Sequence, residues 1–226
     1  MEYFPFGTLD AWINGVTLRE PEAKLIGRQL LEGLKIMHEE GFTHRDLKPQ
    51  VSTHLNGHHT QTMHQLIRQN IFVVHMAPVW WVKIGDFGIS KRVSGDETAL
   101  QTATGTPHYL APEVRYYVRD KSMKPGVYTN AVDIWSFACV IYQILACQVP
   151  FPGGALDLIH FCEGGLFPEE PLSPDISSIG IDFLKFLMVR RDLLSLSASK
   201  YSLMRRRVSL RTLTPTLENH RLHTDC

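Results

Sequence analysis

The sequence predicts an α+β domain that is mainly helical, with one short β-hairpin near its middle. Three features predict it. Apolar residues recur at helical spacing after Pro21, at Ile26, Leu30, Leu34 and Met37. Ala131–Cys147 is almost continuously apolar, as in a helix buried on all sides. Two short runs of β-branched and aromatic residues, Ile71–Val74 and Trp81–Ile84, flank a connection containing Ala77 and Pro78.

Taken in chain order, Thr8–Asn14 is expected to be a short helix with Thr8 as its N-cap, because a hydroxyl can accept from a free N–H of the first turn. Pro21 opens the next helix, since proline suits the first turn, where its missing N–H costs nothing. Gly41 stops it. The segment after it, charged and holding Pro49, reads as loop. Residues 51–69 are polar and histidine-rich without periodicity. The hairpin strands follow, and residues 90–108, rich in Ser, Thr and Gly, read as a surface loop. Ala131–Cys147 is the buried helix. Asp133, Gln143 and Gln148 in that region favour a core helix over a membrane span, which needs about 20 nearly uncharged residues. Ala155–Glu163 and Ile179–Val189 are weaker helical segments. From Arg190 onward, eight Lys/Arg stand against three acids, a net of +5, and helical patterning fades. Such a composition predicts disorder or loose packing.

The bulk numbers narrow the class. The chain has 226 residues, 44% hydrophobic and 20% charged, with zero formal net charge. No global field draws it to nucleic acid or to a membrane surface. Cysteines 139, 147, 162 and 226 form no C-x-x-C pair and read as reduced thiols of an intracellular protein, cytoplasmic or nuclear. Met1-Glu2-Tyr3-Phe4-Pro5 lacks the basic start and apolar run of a signal peptide.

Three motifs carry the chemistry. His44-Arg45-Asp46-Leu47-Lys48-Pro49-Gln50 holds a carboxylate and an ammonium two residues apart. Asp86-Phe87-Gly88 follows a strand. Gly105-Thr106-Pro107-His108-Tyr109-Leu110-Ala111-Pro112-Glu113 closes the Ser/Thr-rich stretch. In this order they resemble the catalytic loop, metal-binding motif and activation-segment end of eukaryotic protein kinases. Asp133-Ile134-Trp135-Ser136 is similar to the start of that family's central helix. The resemblance spans residues 1–190 and implies the mainly α-helical C-terminal lobe of the kinase fold with a short β-hairpin. Residues 191–226 remain as a basic tail.

The resemblance implies roles. Phosphoryl transfer needs an aligned nucleophile and neutralised phosphate charge. Asp46 would accept the substrate hydroxyl's proton, and Lys48 would place a positive charge beside the transferred phosphate. Lys48 together with Thr106 points to the serine/threonine branch. Asp86 would bind Mg²⁺, a hard cation that prefers oxygen ligands. Arg45 would pair with a phosphorylated activation-loop residue. Ser94, Thr98, Thr102 and Thr104 are the candidate sites for an upstream activating kinase. Glu113 would pair with Arg190 or Arg191. Glu2 and Phe4, in a hinge-like Met1-Glu2-Tyr3-Phe4, would line the adenine edge of ATP, with Phe72 beneath the ring.

The loop is interrupted. The family pattern H-R-D-x-x-x-x-N places asparagine five residues after the aspartate, but position 51 is valine. Removing the nineteen residues 51–69 restores HRDLKPQNIFVV and puts Asn70 at the required place, as the second Mg²⁺ ligand. The four histidines of the insert (54, 58, 59, 64) invite a zinc reading, yet no cysteine lies near and a closed zinc site needs four firm ligands. A translated short intron fits better, because valine codons begin with GT, glutamine codons can end in AG and nineteen codons keep the frame.

The chain also contains no G-x-G-x-x-G cover, V-A-I-K lysine or partner helix glutamate. Lys83 lies on the strand leading into Asp86 and is not that lysine. The expectation is a serine/threonine kinase fragment, nearest to the calcium/calmodulin-dependent type, with the small lobe missing, weak ATP binding and impaired transfer to Ser or Thr of a protein substrate. The alternatives are a non-catalytic interaction module on the same lobe and an incomplete gene model of a full kinase.

Overall fold

A computed structural model describes residues 3–48, 70–86, 91–92, 107–112, 114 and 130–188. The chain divides into a unit of Met1–Met188 and a second of Val189–Cys226, which lies outside the described residues. Within the first unit the elements are α1 (Asp10–Ile13), α2 (Glu20–Glu39), β1 (Phe42–Thr43), β2 (Ile71–His75), β3 (Trp81–Ile84), β4 (Lys91–Arg92), a 3₁₀ turn (Pro107–Tyr109), α3 (Ala131–Ala146), α4 (Ala155–Cys162) and α5 (Ser178–Leu187).

Helix α3 is the centre. Twelve of its sixteen residues are buried, from Val132 to Leu145, so no single apolar stripe is visible in its sequence. Helix α2 lays Ile26, Leu30 and Leu34 against the core. Burying one such side chain contributes about 1.5–3 kcal/mol. Gly27 lets the two helices approach: a Cβ there would lie 3.2 Å from Ile141 Cδ1 and 3.5 Å from Phe137 Cζ. Helix α5 packs on α3 and is capped by the Ser177 hydroxyl, which accepts from Gly180 N at 3.1 Å. Among the described residues no helix is long and apolar enough to cross a membrane.

The hairpin is antiparallel, pairing Ile71 with Ile84, Phe72 with Lys83 and Val73 with Val82. The N-terminal segment lies on the free edge of β2, through Val73 N to Gly7 O and Leu9 N to Ile71 O, both 2.9 Å. This changes one expectation. Thr8 caps nothing; it forms a β-bridge with Phe72, and α1 starts after Leu9 with no side-chain cap. A residue extended against a strand is not placed to turn its hydroxyl onto the helix start. Two more expectations are corrected. Phe42–Thr43 and Lys91–Arg92, both read as loop, form a second two-stranded sheet. Strands of two residues show no periodicity; their partner, about fifty positions away, defines them.

Candidate active site

The site gathers where α2, the loop after β1, the start of β2 and the end of β3 meet. Asp133 organises it from the first turn of α3. Its carboxylate is wholly buried and accepts from His44 N at 2.8 Å and Arg45 N at 2.7 Å. His38 Nε2, at the end of α2, lies 2.8 Å from the same carboxylate. A buried carboxylate is costly unless paired and hydrogen-bonded, and here it has three partners. They also explain a strained residue. Arg45 has φ of 72°, a left-handed conformation costing an L-residue about 1–2 kcal/mol. The two bonds to Asp133 hold the two peptides that lead into it, on either side of His44.

The turn at Arg45 delivers Asp46 and Lys48. Lys48 Nζ is 2.9 Å from Asp46 Oδ2, and both side chains are nearly buried, at 5% and 9% exposure. His44 Nδ1 accepts from Asp46 N at 3.4 Å, and its Nε2 donates to Gly85 O at 3.1 Å. The imidazole therefore ties the Asp46 loop to the residue before Asp86.

Asn70 joins them across the insert. Its Oδ1 accepts from Lys48 N at 2.9 Å, and its Nδ2 donates to Asp46 O. Its own carbonyl accepts from Gly85 N at 2.9 Å. Asp46, Lys48, Asn70 and Asp86 thus occupy one cluster although the first and last are forty positions apart. Asp86 is exposed and has φ of 53°. The donor set fits Mg²⁺. Asn70 Oδ1 spends one of its two lone pairs on Lys48 and keeps the other, and the second donor is a carboxylate oxygen, the hard ligand that this ion prefers. Among the described residues no group of three His, Cys, Asp or Glu side chains offers an all-protein metal cage.

Phe72 lies beside this cluster. Its ring stacks on Phe4, with centroids 4.7 Å apart and planes 19° from parallel. A Cβ on Gly85 would lie 2.8 Å from Phe72 Cε2, so glycine there admits the large ring. The 3₁₀ turn meets α3 further along the helix. Ser136 Oγ donates to Tyr109 O at 2.9 Å, and Tyr109 OH donates to Gln143 Oε1. Burial pushes the Tyr109 phenol well above its usual range, and Cys139 and Asp10 push the same way against the Gln143 bond. Its hydroxyl stays a neutral donor.

Of the site residues expected from sequence, Asp46, Lys48, Asn70 and Asp86 come together, with Phe4 and Phe72 adjacent. Glu2, Thr106, Phe87, Gly88, Glu113, Arg190, Arg191, the four candidate phosphosites and the insert lie outside the described residues. Sequence reasoning passed over His38 and used Asp133 only as a mark against a membrane span and as the first residue of a motif similar to the start of a central helix, without assigning it a partner. The signal was available, because a charge in an otherwise apolar core helix must find partners.

Comparison with known proteins gives a consistent result. The family model for the protein kinase domain matches residues 1–51 and 54–193. The chain is 35% identical over 192 residues to serine/threonine-protein kinase cds1 of Schizosaccharomyces pombe, covering 83% of this chain and 36% of the relative. It is 34% identical over 177 residues to serine/threonine-protein kinase RAD53 of Saccharomyces cerevisiae, covering 75% and 19%. A crystal structure of the Rad53 kinase domain and SCD2 superposes with a TM-score of 0.59 at 29% identity, over 84% of this chain and 58% of that one. The chain thus spans little more than a third, or less, of these two curated relatives.

Proposed function

This chain belongs to the protein kinase domain family, and we propose that its site carries out transfer of the ATP γ-phosphate to a serine or threonine hydroxyl of a protein. In this reading the substrate oxygen attacks the γ-phosphorus, the bond to the β-phosphate oxygen breaks and ADP leaves. Asp46 takes the hydroxyl proton and orients the oxygen. Lys48, already 2.9 Å from Asp46, supplies positive charge next to the phosphate as it moves. Asn70 Oδ1 and the Asp86 carboxylate hold Mg²⁺, which neutralises phosphate charge when bound. Phe72, with Phe4 and Glu2 at the edge, takes the adenine. Thr106 and a phosphorylated Ser94, Thr98, Thr102 or Thr104 complete the activation segment. The calcium/calmodulin-dependent type remains our preferred subgroup, on the motif wording, and the setting is intracellular.

The observation that carries the reading is the closure of Asp46, Lys48 and Asn70 around the insert. The Lys48 and Asp46 side chains pair, and the Asn70 carboxamide bonds the backbone of both from beyond the insert. We further propose that the 226-residue polypeptide transfers phosphate poorly, because it holds no G-x-G-x-x-G segment or V-A-I-K lysine and its loop is interrupted. A displacement of about 1 Å costs about 100-fold in rate.

The purified chain is expected to bind Mg²⁺ and an ATP analogue weakly, with perturbed amide signals at Phe72 and Asp86, and to phosphorylate a generic peptide barely or not at all. Absence of any magnesium-dependent binding would sink the site assignment. Turnover that Asp46→Ala abolishes would sink the claim of impairment. Transcript sequencing addresses the insert: a message joining Gln50 directly to Asn70 supports a translated intron, and a spliced message retaining 51–69 refutes it.

A further inference from the structure

The β2–β3 hairpin connects the two residues assigned to Mg²⁺. Asn70 immediately precedes β2, and Asp86 follows the end of β3 by two residues. One edge of β3 is paired with β2. The other edge is met by the side chain of Gln29, from the middle of α2. Gln29 Nε2 donates to Trp80 O at 2.9 Å, and Oε1 accepts from Val82 N at 3.0 Å. The carboxamide thus occupies the edge as a neighbouring strand would. A second Nε2 bond, to Leu25 O at 3.0 Å, anchors it to its own helix. Three of its four hydrogen-bonding positions are fixed.

The same helix reaches the other half of the site. Nine residues later, His38 contacts Asp133, which holds His44 and Arg45. Helix α2 therefore grips the strand that carries Asp86 and braces the loop that carries Asp46. We propose that Gln29 is a positioning residue that sets Asp86 relative to Asp46 and Asn70 by locking β3 to α2. This rests on the reading that Asn70 and Asp86 take Mg²⁺. The lever arm is short but sufficient. From Val82 to Asp86 the chain spans about 13 Å if extended, so a tilt of about 10° at the grip moves the far end by about 2 Å. Other contacts keep the hairpin docked without Gln29. Trp80 Nε1 donates to Glu22 Oε1 at 3.1 Å, and Ile84 packs against Gly33. Loss of Gln29 changes aim more than it changes folding.

The experiment titrates Mg²⁺ against binding of a fluorescent ATP analogue to the full chain and reads amide hydrogen exchange at Val82 in parallel. Gln29→Leu is expected to raise the Mg²⁺ concentration for half-maximal binding about tenfold, as loss of an outer partner of a metal ligand does, and to strip protection from Val82. Gln29→Glu keeps the acceptor for Val82 but loses the donor to Trp80, so its shift is smaller. Should Gln29→Leu not fold, Gln29→Glu decides, and a wild-type midpoint there overturns the proposal. Glu22→Ala, which frees the Trp80 indole and the Arg19 contacts at the start of α2, lowers the melting temperature and leaves the Mg²⁺ midpoint in place. An equal midpoint shift in Glu22→Ala, or an unchanged midpoint in Gln29→Leu with Val82 unprotected, overturns the assignment to Gln29. A wild-type chain that binds no magnesium–nucleotide at all is a different result: it removes the kinase reading and this proposal with it.

Discussion

His44–Arg45 and Asp46–Lys48 are neighbours in one loop, yet they are held by different means. The first pair hangs from Asp133, a wholly buried carboxylate on the central helix, through two backbone bonds of 2.8 and 2.7 Å. The second pair is tied by Asn70, a neutral amide at the start of a strand, which reaches back over the insert to Asp46 O and Lys48 N. The upstream anchor lies in the core. The downstream anchor lies beyond the very segment that breaks the motif. The contrast teaches that distant side chains carry this loop's geometry and that unbroken chain is not required. Closing a longer excursion adds only about 0.6 kcal/mol per doubling of length, so anchors of this strength can hold the ends together.

Perturbing the anchors separately sharpens the contrast. Asp133→Ala should have the largest effect, about 3–5 kcal/mol of stability, because it strands buried N–H groups and the His38 imidazole. Denaturant unfolding reads it, and a loss no greater than that of Asn70→Ala would erase the distinction. Asn70→Ala should cost about 2 kcal/mol, for two hydrogen bonds, with the fold kept and magnesium-dependent nucleotide binding lost. Deleting 51–69 should leave the fold intact and stabilise it by up to about 2 kcal/mol through cheaper loop closure, seen as a higher melting temperature. A lower one would mean that the insert contributes contacts of its own.

The smallest effect concerns pH. The Trp80 indole bond, with help from Arg19, holds the Glu22 carboxyl below its usual 4.5 against the opposing pull of burial. A lowered folded value means that its contribution is complete above pH 4.5 and is lost as pH falls through the lower folded value. Acid unfolding of Glu22→Gln should therefore be less steep in that window than wild type, and identical slopes would remove Glu22 from the acid response.

Much of this arrangement was legible in the sequence, where the signal is local. The spacing of Ile26, Leu30 and Leu34 announced α2, and the apolar run announced α3, with boundaries within one residue at Ala131 and Ala146. Asn70 was recoverable because its neighbours restore a known spacing once 51–69 is removed. What stayed hidden depends on distance along the chain. Gln29 meets Trp80 and Val82 more than fifty residues away, and no pattern around Gln29 marks it. Thr8 had the chemistry of a cap, but the strand beside it took it into a bridge. Tertiary pairing overrode local preference there, as it did for the two-residue strands.

Trp80 and Trp81 stand side by side in the hairpin, and alternation along a strand sends their indoles to opposite faces. Trp80 is 4% exposed against α2, and Trp81 is 52% exposed. In a variant whose other two tryptophans, Trp12 and Trp135, are replaced by phenylalanine, light would distinguish them. The inner indole should emit at shorter wavelength and resist collisional quenchers, while the outer one emits like indole in water and quenches readily. If the hairpin lifts from α2, the inner indole takes on the character of its neighbour. The protein thus carries a built-in optical gauge of hairpin docking, with its own reference one residue away.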